Sequence, residues 1–178
     1  MLQIERECHY PKLRKQGYCV TSGDTVNKLV RYNCVAWAAD GDAEIWWEPI
    51  AEPGFYWPKG ISDDGTVKSY SEVFKLLGYE ECESEQFELF YEKIILYGFP
   101  GEWFSHVAYQ LYTGWTSKLG DWQDIKHRTS QGLEGNYCGE VKIKMRRRCG
   151  IRGFLARAFP NLIFKIWPIR WRKLYEAA

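Results

Sequence analysis

Along the chain, apolar positions switch between a helical and a strand period, and the switches divide it into elements. In residues 66–77, Val67, Tyr70, Val73, Phe74 and Leu77 fall on one helical stripe with Gly78 behind them, which predicts a helix and its stop. Residues 33–41 predict a shorter one, with Asn33 as N-cap, Cys34 in the first turn and Gly41 at the end. Residues 91–97, 107–112 and 115–119 carry β-branched and aromatic residues at strand spacing, the last two separated by a Thr113-Gly114 turn. Residues 124–133 are expected to form a short helix and residues 137–145 a last strand. Residues 45–60 hold too many aromatics and prolines for a regular element and predict an aromatic loop. Helix, helix, then antiparallel strands is the order of an α+β domain.

The two ends differ from this body. Residues 1–30 are polar with little periodicity and read as an irregular lead-in. From Ile151 to Trp167 a helical stripe returns, with Arg152, Arg157 and Lys165 off it and Pro160 and Pro168 breaking it. The predicted organisation is a lead-in (1–30), an α+β domain (31–145) and a basic amphipathic helical tail (146–178).

A net charge of +1 hides a division between body and tail. Of 24 bases and 23 acids, eleven and one lie in residues 142–178, so the body carries about −9 and the tail about +10. Such a tail suits an anionic membrane surface or a protein partner through residues 142–173, ahead of nucleic acid, because its apolar stripe is more continuous than phosphate binding needs. Its prolines and charges make it a poor bilayer span. The chain shows no apolar leader, and its six cysteines (8, 19, 34, 82, 138, 149) have no paired spacing, so reduced thiols and a cytoplasmic location, with peripheral membrane association, are expected. The three histidines (9, 106, 127) lie far apart, so no metal or cofactor is expected.

The chemistry centres on Cys34 at a helix start and His106 on a later strand. A thiol there meets free backbone N–H groups and the positive end of the helix, which favour a thiolate, and an imidazole on one face of a strand can shuttle its proton. The competing reading of Cys34 is a buried core cysteine. For the group orienting His106, Asp124 leads as a carboxylate, with Asp121, Ser117 and Lys118 behind it. The Cys34 N–H with Asn33 or Asn27 would form an oxyanion hole. Of the aromatic loop, Trp46 or Trp57, not both, is expected to touch substrate. His127 is either a second functional imidazole or a residue packed beside the short helix.

The strings Asn33-Cys34-Val35-Ala36-Trp37-Ala38, Tyr56-Trp57-Pro58-Lys59-Gly60, Leu77-Gly78-Tyr79-Glu80, Glu92-Lys93-Ile94-Ile95-Leu96-Tyr97, Ser105-His106-Val107-Ala108, Trp115-Thr116-Ser117-Lys118-Leu119-Gly120 and Asp124-Ile125-Lys126-His127 together resemble a bacterial domain family of unassigned function, similar to a distant branch of the papain-like cysteine peptidases and amidases. The resemblance covers residues 30–145. It implies a papain-like fold with a Cys34–His106 dyad and Asp124, or Ser117 with Lys118, as polar partner. The function expected is hydrolysis of a peptide or amide bond; the alternative is a non-catalytic module that docks through its basic tail.

Overall fold

Strand β5 (Tyr91–Gly98) runs Tyr-Glu-Lys-Ile-Ile-Leu-Tyr-Gly with Ile94 to Tyr97 fully buried, the signature of a central strand covered on both faces. In the computed structural model, which describes residues 3–21, 32–39, 46–120 and 122–150, this strand is a spine of the protein. The expectations for Asn27, Asp121, the Trp46 side chain and the helical tail from residue 151 lie outside the described residues. Around β5 stand β1 (Tyr18–Val20), β4 (Glu80–Glu81), β6 (Phe104–Leu111), β7 (Gly114–Lys118), β8 (Asp124–His127) and β9 (Glu140–Arg148). They make one seven-stranded antiparallel sheet in the order β1-β8-β7-β6-β5-β9-β4. The protein is α+β.

Alternation along the strands feeds two cores. Ile94, Leu96 and Val107 face α3 (Cys34–Ala39) and α4 (Val67–Leu76), whereas Ile95, Tyr97, Ala108, Trp115 and Ile125 pack with Tyr10, just after α1 (Gln3–His9), Leu13 of α2 (Pro11–Gln16) and Leu133 of a 3-10 turn at Ser130–Leu133. Helix α4 forms where the stripe predicts it, with the Thr66 hydroxyl accepting from the Ser69 N–H as its cap.

Three readings need correction. The stretch taken as an irregular lead-in holds α1, α2 and the edge strand β1; helices of seven and six residues are too short to show a period, and Pro11 and Gly17 (φ 83°) bound the second. Residues 124–133 do not form one helix, because Asp124 to His127 pairs with β7 on one side and β1 on the other, and only the four residues from Ser130 coil. Within the aromatic loop, β2 (Trp46–Trp47) and β3 (Phe55–Tyr56) form a short parallel pair.

Candidate active site

The site is built from the start of α3. The Asn33 Oδ1 accepts from the Ala36 N–H at 3.0 Å, the cap expected of it, and from the Trp47 N–H at 3.3 Å, while its Nδ2 donates to the Trp47 carbonyl at 2.8 Å. One side chain thus fixes both the helix start and its distance from β2. One residue earlier, the Tyr32 hydroxyl donates to the Asp124 carboxylate at 2.9 and 3.1 Å, and the Lys118 ammonium lies 5.2 Å from the Tyr32 ring centre. Burial and the adjacent carboxylate both raise the Tyr32 phenol, so it stays a donor.

The register between β6 and β7 runs only from Tyr109–Thr116 to Leu111–Gly114. Toward the start of β6, a cavity of about 560 Å³ opens, lined by Asn33 and Cys34 of α3, Ser105 and His106 of β6, and Leu119 and Gly120 beyond β7. The backbone N–H groups of Val107, Cys34 and Val35 face the Cys34 sulfur and favour its thiolate, but burial outweighs them and, with the charge of Glu48, pushes the thiol up to about 12. His106 is 4% exposed, and its Nε2 is enclosed with no hydrogen-bond partner among the described residues. Burial, then the nearby His127, pulls it down to about 3. At neutral pH the site therefore rests as thiol and neutral imidazole, not as the thiolate expected from the helix start.

Of the other sequence candidates that are described, Asp124, Ser117, Lys118 and Trp57 do not line the cavity. Asp124 pairs with Lys118 across the β7–β8 ladder on the α3 side, where Tyr32 takes its carboxylate; His106 follows the alternation of Ala108 onto the opposite face, beside the Tyr97 ring. Ser117 is fully buried and bonded to the His127 Nε2 at 3.1 Å. Because the Thr129 carbonyl can only accept, at 2.8 Å, from Nδ1, that nitrogen carries the His127 proton and Ser117 is the donor to Nε2. His127 is a neutral structural imidazole, drawn down to about 4 by burial. The Lys118 ammonium donates to the Trp122 carbonyl. Trp57 packs edge-on to Tyr70 and donates to the Ile61 carbonyl at 3.3 Å.

Tyr10, Glu48, Trp122, Tyr137 and Cys138 are among the lining residues that the sequence reading did not name as site candidates. Tyr10 enters from the end of α1. Next to it, His9 stacks on Trp122 (centroids 5.7 Å, 4° between planes) and touches Tyr137 at 4.1 Å, joining two walls of the cavity. Arg6 donates to Gln123 and so pins the loop that carries Trp122. The Cys138 carbonyl accepts from the Ser105 hydroxyl at 2.5 Å, and the next residue, Gly139 (φ 68°), has no room for a side chain, since a Cβ there would stand 2.1 Å from the Gly98 carbonyl oxygen. Glu48 follows directly on Trp47, which Asn33 holds. Only its place after an aromatic pair hinted at this role.

Among the described residues, no group of three or more His, Cys, Asp or Glu is arranged to hold a metal ion, and no helix is long and apolar enough to cross a membrane. The model of a family described as a domain of unknown function, DUF7689, matches residues 20–146, and the chain belongs to that family. No curated protein and no solved structure matches it.

Proposed function

We propose that this DUF7689 member is a papain-like cysteine hydrolase that cleaves a peptide or amide bond, with Cys34 as nucleophile and His106 as general base and acid. The observation that carries this reading is a buried, unpartnered His106 Nε2 in the wall of a cavity that Cys34 also lines. An imidazole nitrogen left without a partner in a protein interior is costly, and a proton from a neighbouring thiol is a use for it.

The resting state is neutral, so the charge separation belongs to the reaction. As the Cys34 sulfur attacks the carbonyl carbon, its proton passes to His106; the carbonyl π pair moves to oxygen. The resulting oxyanion is stabilised by backbone N–H groups at the start of α3 or by the second Nδ2 hydrogen of Asn33. Collapse of the intermediate expels the amine, which takes the proton from the imidazolium. Water then hydrolyses the thioester with His106 as base, which returns the thiol. Asp124 is a positioning residue in this scheme: through Tyr32 it holds the chain two residues before the nucleophile. Neutral Ser117 and His127 buttress the His106 face of the sheet, and Trp57 supports Tyr70 from behind.

The test is turnover of a peptide-amide library by the full chain and by Cys34→Ala and His106→Ala. Loss of turnover in both variants, with far-UV spectra and melting unchanged, is the expected result; a His106→Ala protein that keeps its rate excludes the scheme.

A further inference from the structure

We infer that the cavity selects an amide substrate with a cationic group, an ammonium or guanidinium, on the acyl side, held against Glu48 and an aromatic wall. The inference rests on the hydrolase reading for the bond that is cut, and on the cavity alone for the charge. Among the described residues that line the cavity, Glu48 is the one carboxylate and none is a Lys or Arg. Six other carboxylates of the body, Glu80, Glu85, Glu88, Glu92, Glu102 and Glu134, each meet a Lys or Arg within 4 Å. Among the described residues, Glu48 meets none.

Part of the remaining lining is aromatic. Tyr10, Tyr70, Phe104, Trp122 and Tyr137 line the same cavity, and the Tyr70 and Phe104 rings stack at 3.6 Å with 16° between planes. Ring faces beside a carboxylate attract a cation by two routes, the ring quadrupole and the opposite charge, and both strengthen as water is displaced. An anionic ligand would be repelled, and a neutral one would leave the carboxylate desolvated without a partner. The second, independent sign of a ligand is His106, more than nine-tenths buried, with Nε2 unpartnered at the same wall.

The position of Glu48 adds a consequence. Its charge is felt at both the Tyr70 hydroxyl and the Cys34 sulfur, where it opposes the thiolate. A bound cation offsets that opposition. The right substrate thus eases removal of the thiol proton by the charge it carries, which gives selectivity in the chemical step as well as in binding.

The test uses full-length Cys34→Ala protein and two probes of equal size, N-acetyl-arginine amide and N-acetyl-citrulline amide, titrated by calorimetry. Expected are an affinity at least tenfold higher for the arginine probe, a preference that shrinks as salt is raised, and its disappearance in the Cys34→Ala/Glu48→Gln protein with citrulline binding unchanged. Equal affinities, no binding of either probe, or a preference that survives Glu48→Gln or is insensitive to salt overturns the inference. If Glu48→Gln does not fold, the salt dependence decides alone. Charge-selective binding alongside a wild-type enzyme that turns over no amide upholds the cation site and removes the hydrolase reading; turnover of neutral amides without charge-selective binding does the reverse.

Discussion

Leaving a buried nitrogen without a hydrogen bond costs on the order of 1–3 kcal/mol, and His106 carries that cost in the wall of a cavity that Cys34 also lines. His106→Leu is therefore expected to unfold at the same or higher urea concentration than the native protein while losing turnover, a trade typical of a functional position. The acid limb gives a second check. His106 and His127 have folded pKa values lowered to about 3 and about 4 by burial, so below pH ~6.5 the unfolded chain binds protons that the folded chain refuses. Stability is full above that pH and falls as pH drops toward 4, by about 1.4 kcal/mol per pH unit for each histidine. Urea titrations from pH 7 to 4 should show this slope, and His106→Leu should lose one proton of it. Ser117→Ala strands the His127 Nε2 and should cost about 1–3 kcal/mol. In the sequence, Asn33, Cys34 and His106 were legible because a cap and an alternating strand are local signals. Asp124 was not, since the face it occupies follows from its pairing with Lys118, which no local pattern records.

At the scale of elements, α3 depends on contacts outside itself. Six residues make too short a helix to hold in isolation, and Asn33 supplies its cap together with two bonds to Trp47. Asn33→Ala should cost about 1 kcal/mol for the cap and more for the Trp47 groups it leaves behind. It should also lower kcat more than it raises KM, because the nucleophile shifts while the aromatic wall stays. Helix α4 was legible from its complete apolar stripe and its stop, while its Thr66 cap was not read as one. The first twenty residues were not legible, because two helices of fewer than eight residues separated by a proline carry no measurable period. Their contribution to the site, Tyr10 and the His9 contact with Trp122 and Tyr137, was hidden with them.

For the molecule as a whole, the charge division seen in the sequence is partly resolved within the fold. Bases that open the tail by composition belong to β9: Lys142 meets Glu102 at 3.7 Å, Lys144 Glu85 at 3.3 Å, Arg146 both Glu80 and Glu88 at 3.0 Å, and Arg147 Glu92 at 2.7 Å. Most of these pairs are exposed and contribute little singly. Arg147 differs, with its partner 11% exposed, a bond to the Leu77 carbonyl at 3.0 Å and the Tyr79 ring 4.6 Å away. Arg147→Ala should cost on the order of 3 kcal/mol, read as a lower urea midpoint, by leaving Glu92 unpaired. Composition revealed the charge; only the register of β9 against β5 and β4 shows where it goes. The account stands on one thiol among six, of which Cys8 and Cys19 are exposed and serve as controls. The most direct measurement is mass-spectrometric mapping of the acyl group left on the full chain by an activated acyl ester at pH 7, with His106→Ala alongside. An acyl thioester on Cys34 that forms and turns over in the native protein, at least tenfold faster than in His106→Ala, is the predicted result. Acylation confined to Cys8 and Cys19, or a Cys34 rate indifferent to His106, contradicts it.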